Sequence, residues 1–174
     1  MEAGKSHRIT LERESLRFAA AHFATFGGDC EPLHGHNYAV TVELEGSLIA
    51  EESWVLDFSE TKRMARGISK ELDHKFILQA KSRVLSFERT GDSYTIAFGD
   101  RRYVMPASDV AVLPIDNSTA ERLAEWFAGR MASELAARGA ANVVSLTVGI
   151  EEAPGQTGWF TMQGLARPDA GKKG

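Results

Sequence analysis

Apolar positions recur with period two in four stretches of the chain and with helical spacing in two others. In residues 16–22, Phe18, Ala20 and His22 fall on one face of an extended chain. In residues 33–44, Tyr38, Val40, Val42 and Leu44 alternate with Thr41, Glu43 and Glu45. Successive side chains of a strand point to opposite faces, so this alternation predicts two half-buried strands. His34 and His36 share the parity of the apolar set. Met64, Ile68 and Leu72 then repeat every four residues with Ala65 beside them, which predicts an amphipathic helix entered through Asp57 or Ser59. Gly67 is its one weak position. A second helix is announced by the capping-box pair Ser118 and Glu121 and by the stripe Ala120, Leu123, Ala124, Phe127, Met131 and Leu135. Arg138-Gly139 is its stop, with glycine suited to the left-handed residue beyond a helix. Residues 142–151 and 157–165 predict two further strands. Val144, Leu146, Val148, Ile150 and Glu152 share one parity, so Glu152 ends an apolar row.

Between the helices, residues 79–113 alternate in short runs around Thr90-Gly91-Asp92-Ser93 and Gly99-Asp100. Both are turn signals, and the segment reads as an inserted β-meander. The order strand, strand, helix, hairpins, helix, strand, strand predicts an α+β domain with an antiparallel sheet. The length of 174 residues suits a single domain, with frayed polar tails over 1–6 and 167–174.

Composition narrows the function classes. Hydrophobic residues make up 43% and charged residues 25%, as in an ordinary globular protein with one core. A net charge of −4 gives no broad basic surface, so no nucleic-acid partner is expected. No apolar run is long enough for a membrane span, and the first residues lack the apolar stretch of a secretory signal, so the expected location is the cytoplasm. One cysteine excludes an intrachain disulfide.

The chemistry gathers in the block His22 to Tyr38. His34 and His36, two apart on a strand, can aim both rings at one point, and His22 arrives from a neighbouring strand. Three neutral imidazoles suit a zinc ion and leave its fourth position open. The cupin pattern also carries His-x-His, but it needs an acid three or four residues later, and Val40 and Thr41 stand there. Cys30 has three readings: a fourth ligand, a thiolate beside the metal with its pKa lowered by a nearby cation, or a small buried hydrophobe. Asp73-His74, at the end of the first helix, is either an oriented carboxylate–imidazole pair or a helix-terminal histidine facing the dipole. Glu152 suits a planar ligand rich in N–H donors better than its neighbour Glu151, because its parity is apolar. Thr119 is a ligand contact or part of the capping turn.

Taken together, Phe18-Ala-Ala-Ala-His22, Cys30-x-x-x-His34-Gly-His36-Asn37-Tyr38, Leu72-Asp73-His74-Lys75, Asn117-Ser-Thr119-Ala-Glu121 and Glu152 resemble the family of 6-pyruvoyltetrahydropterin and 6-carboxytetrahydropterin synthases. The resemblance implies a tunnelling fold: a four-stranded antiparallel sheet with two helices on one face, three subunits closing a barrel and two rings stacking into a hexamer. It implies zinc on His22, His34 and His36, a proton-transfer set of Cys30, Asp73 and His74, and a pterin anchored by Glu152 with help from Thr119. The implied substrate is 7,8-dihydroneopterin triphosphate. The four-residue step from Cys30 to His34 resembles the bacterial carboxy enzymes of queuosine biosynthesis. The alternatives are the pyruvoyl enzyme, which eliminates triphosphate, a homologue acting on another pterin, and a zinc-stabilised ring protein that binds a pterin without turning it over.

Overall fold

The computed structural model describes residues 6–12 and 16–165. Apart from Ser6, the expected frayed tails lie outside the described residues. The elements are β1 (His7–Leu11), β2 (Arg17–His22), β3 (Thr25–Phe26), β4 (Asp29–Cys30), β5 (His34–Gly46), α1 (Phe58–Leu72), β6 (Lys75–Gln79), β7 (Ser86–Thr90), β8 (Ser93–Phe98), β9 (Arg101–Pro106), β10 (Val110–Leu113), α2 (Ala120–Ala137), β11 (Val143–Ala153) and β12 (Gln156–Gln163).

The antiparallel core β2-β5-β11-β12 matches the four predicted strands. The sheet is larger than the expected four strands, however. It runs β10-β6-β2-β5-β11-β12, with β1 also paired to β5, and β6 and β10 join it in parallel. Residues 110–113, read from the sequence as part of the meander, therefore belong to the main sheet. The reason is legible in the burial of β6. Phe76, Ile77, Leu78 and Gln79 are all buried, so the strand has no polar alternation to betray it.

Both helices pack on one face of this sheet. Met64, Ile68 and Leu72 of α1 and Leu123, Phe127 and Met131 of α2 join Tyr38, Val40, Val42, Leu44, Leu146, Val148 and Ile150 in one apolar cluster. Asp57 caps α1, its side chain accepting from the Glu60 N–H at 2.9 Å. Thr119 caps α2, accepting from the Arg122 N–H, in place of the expected Ser118. Ser118 is fully buried, and its hydroxyl donates to the Phe23 carbonyl at 3.1 Å.

The meander is confined to β7–β9, joined by two-residue turns in which Gly91 and Gly99 take positive φ. It covers a second, smaller apolar cluster of Phe23, Cys30, Phe76, Leu78, Leu85 and Ile96.

The N-terminus of α2 lies directly on β12 at Gly158. A β-carbon there would fall 2.5 Å from the Glu121 nitrogen and 2.6 Å from the Ala120 carbonyl carbon. Gly67, inside α1, has open space around it. Gly158→Ala is therefore expected to lower stability by about 1–3 kcal/mol through forced backbone displacement. Gly67→Ala is expected to raise it by about 0.5–1 kcal/mol. Denaturant midpoints of the two variants against the parent check both signs.

Candidate metal centre

The central strand β5 carries its apolar row into the site. Leu44, Val42, Val40 and Tyr38 face the helices, and the next two positions of the same parity are His36 and His34. Antiparallel pairing sets Phe18 opposite Tyr38, Ala20 opposite His36 and His22 opposite His34. The Phe18 and Tyr38 rings stack with centroids 4.8 Å apart, which closes the core just below the histidines. Gly35 makes the close pairing feasible, because a β-carbon there would sit 2.9 Å from the Ala20 carbonyl oxygen.

His22, His34 and His36 each offer a ligand nitrogen, and these atoms lie within 4.8 Å of one another, the one such metal-competent group among the described residues. Two of the rings have a fixed tautomer. His22 Nδ1 donates to the Ser118 carbonyl at 2.9 Å, and His34 Nδ1 donates to the Pro32 carbonyl at 2.9 Å. A carbonyl only accepts, so each Nε2 is left with a free lone pair. His22 Nε2 is buried without a hydrogen-bond partner. An orphaned, fully buried lone pair needs an electrophile, and a metal ion supplies one. Burial lowers the His22 pKa to about 4, reinforced by the neighbouring His34, so the ring is neutral at pH 7 as ligation requires. The residues present thus fit a metal held by three imidazoles.

The histidines open into a cavity of about 630 Å³ between the end of the sheet and the start of α2. Glu31, Thr119, Glu121 and Glu152 also line it. Glu152 ends the apolar row of β11 at a register shift between Glu151 and Ala153. Such a bulge redirects a side chain. Glu151 instead accepts from the Gly155 N–H at 3.0 Å, inside the β11–β12 turn. Thr119 both caps α2 and lines the cavity.

Cys30 is placed differently from the catalytic reading of the sequence. It is 5% exposed, belongs to the small cluster under the meander, and is not among the residues lining the cavity. Burial pushes its thiol pKa up, outweighing the pull of the Arg101 guanidinium. The lowering that the thiolate reading requires is therefore reversed, and the placement is that of the small buried hydrophobe. The carboxylate of the next residue, Glu31, takes the place beside the metal ligands: its Oε2 is 3.9 Å from His34 Nε2 and accepts from the Ala24 N–H at 3.2 Å. Sequence reasoning missed Glu31. Adjacent residues in extended chain face opposite ways, and nothing in the pattern around β4 says which of the two faces the histidines.

Asp73 and His74 do form a pair, with His74 Nδ1 3.0 Å from Asp73 Oδ2. Asp73 also accepts from the Ala19 N–H at 2.9 Å, the main cause of its lowered pKa. His74 has a positive φ of 59° and an 83% exposed side chain. It lines a neighbouring cleft with Lys75, Val104, Met105 and His36, and only His36 of these also lines the histidine cavity.

Residues 10–163 match the family model described as 6-pyruvoyl tetrahydropterin synthase. A protein of Methanocaldococcus jannaschii named putative 6-carboxy-5,6,7,8-tetrahydropterin synthase is 36% identical over 141 residues, covering 81% of this chain and 86% of that protein. A dihydroneopterin monophosphate aldolase of Pyrococcus furiosus is 38% identical over 58 residues, 33% of this chain and 48% of that protein. Among solved structures, a Plasmodium vivax 6-pyruvoyltetrahydropterin synthase, described as a catalytic residue mutant in which alanine replaces a glutamate, superposes with a TM-score of 0.86 at 29% identity, covering 92% of this chain and 99% of that one. With the helices on one face of a curled sheet and the three histidines at its end, the chain belongs to the 6-pyruvoyl tetrahydropterin synthase family.

Proposed function

We propose that this protein is a zinc-dependent lyase acting on the three-carbon side chain of a phosphorylated 7,8-dihydropterin. Our first reading is conversion of 7,8-dihydroneopterin triphosphate to 6-carboxy-5,6,7,8-tetrahydropterin, the product that the name of the putative synthase of M. jannaschii gives. The observation that carries the proposal is the cavity itself: three imidazoles whose ligand nitrogens lie within 4.8 Å of one another share it with two carboxylates, Glu31 and Glu152.

A bound zinc would polarise a substrate hydroxyl and offset negative charge as a proton leaves. Every other part falls to the chain. Glu152 accepts hydrogen bonds from the amino-pyrimidinone edge of the pterin, which presents adjacent N–H donors. Thr119, at the start of α2, closes the same wall. Glu31, beside His34, is placed to take a proton from a side-chain hydroxyl.

Glu31 also favours a second reading, cleavage by a retro-aldol route. Removal of the C2′ hydroxyl proton breaks the C1′–C2′ bond. C2′ and C3′ leave as a phosphorylated glycolaldehyde, and C1′ takes a proton to leave 6-hydroxymethyl-7,8-dihydropterin. The P. furiosus relative is named for an aldolase activity, and the P. vivax structure is described with a glutamate as catalytic residue. The Asp73–His74 pair, exposed and outside its own chain's cavity, supports an assembly in which another copy's cavity receives it. Among the described residues, β10 and β12 are the outer strands of the sheet, with edges through which copies could join.

Five outcomes test this reading. Purified protein should hold about one zinc per chain, and His34→Ala or His36→Ala should lose most of it by elemental analysis. No zinc after reconstitution removes the metal site. Glu31→Gln should keep zinc and lower turnover by about 10²–10⁴-fold. Chromatography with an aldehyde assay identifies the product: acetaldehyde with the 6-carboxy pterin supports the first reading, and phosphorylated glycolaldehyde with the hydroxymethyl pterin supports the second. Retention of all three side-chain carbons points to the pyruvoyl alternative. Cys30→Ala should abolish turnover only if the thiol serves the chemistry. Light scattering should show a trimer or hexamer, and a stable, active monomer would contradict the shared site.

A further inference from the structure

The turn that carries Cys30 and Glu31 is held by the inserted meander, and the hold runs through one side chain. Arg101, the first residue of β9, donates from Nη1 to the Glu31 carbonyl at 3.0 Å and from Nη2 to the Cys30 carbonyl. Its Nη2 also lies 3.8 Å from Asp29 Oδ1, and Asp29 accepts from the Cys30 N–H at 2.7 Å. The guanidinium stacks over Phe98, with its carbon 4.8 Å from the ring centroid, so its own position is fixed by the neighbouring strand. A planar fork with several donors can bridge two successive carbonyls, which an ammonium group does less well.

The geometry on the other side of the turn is complementary. Glu31 pairs with Ala24 twice, through its N–H to the Ala24 carbonyl at 3.0 Å and through its carboxylate to the Ala24 N–H. The Cys30 thiol donates to the Glu31 carbonyl at 3.5 Å and sits in the cluster with Phe76, Leu78 and Ile96. Fixing both carbonyls leaves the two side chains one arrangement: thiol under the meander, carboxylate in the cavity.

We propose that Arg101 is a positioning residue, through which the inserted meander selects Glu31 rather than Cys30 as the group facing the metal cavity. This rests on the proposed role of Glu31 for its catalytic consequence, but not for its geometric one. The meander is then part of the active-site machinery, although no residue of it lines the histidine cavity.

Thiol labelling tests the geometry without any appeal to turnover. The chain has one cysteine, so a chromogenic disulfide reagent reports Cys30 alone. The zinc-loaded parent should label slowly. Arg101→Met keeps an unbranched apolar side chain and removes the guanidinium with both carbonyl bonds. It should label at least about tenfold faster, because two charge-assisted hydrogen bonds oppose opening of the turn. Zinc content should be unchanged. With the pterin substrate, kcat should fall while KM holds, and Arg101→Lys should restore part of both effects. Labelling of Arg101→Met at the parental rate overturns the proposal, as does faster labelling with an unchanged kcat. If Arg101→Met does not fold, Arg101→Lys alone is read by the same criteria against the parent. Should the parent turn over no pterin, faster labelling of the variant still upholds the clamp, and the functional reading fails separately.

Discussion

The register between β2 and β5 is the constraint on which the site depends. It sets His22 opposite His34 and places His36 one step along the same face. A slip of one residue would turn every side chain of β2 to the other face and remove His22 from the cluster. Near its start, β2 is held on both sides. Phe18 stacks on Tyr38 inside the core, and His74 donates its N–H to the Ala19 carbonyl at the edge. The three clustered histidines are therefore an extension of the hydrophobic core, built from the same parity that buries Val40 and Val42.

This origin explains the chemistry of His22. A core position gives it burial, and burial keeps the ring neutral. The Ser118 carbonyl then fixes which nitrogen is free, and Ser118 is held in turn by Phe23. Ser118 is drawn away from capping α2 by this task, and Thr119 takes over. One residue of displacement at the helix start thus serves two needs, a capped helix and an oriented ligand.

The 29–31 turn is held by different forces. Hydrogen bonds to Ala24 and to Arg101 hold its Glu31 side. A trio of histidines extending the core and a turn fixed from outside it make two separable parts of one cavity. The placement of the three imidazoles belongs to the first part, and which side chain of the turn faces them belongs to the second.

Periodicity and chemistry-bearing residues along the chain were enough to find the four antiparallel strands, both helices, the two meander turns and the three histidines. Each is local: alternation marks strands such as β5, a four-residue repeat marks α1, and His-x-His lies on one strand. Glu152 was legible for the same reason, as an acid where the parity calls for an apolar residue. What the sequence could not determine depends on partners distant along the chain. β6 is buried on both faces and β10 is four apolar residues in a row, so neither carries an alternation and only their parallel pairing identifies them. Cys30 and Glu31 are neighbours, and either could face the histidines. Tertiary structure decided between them, because Arg101, 70 residues beyond Glu31, binds the carbonyls that orient the turn.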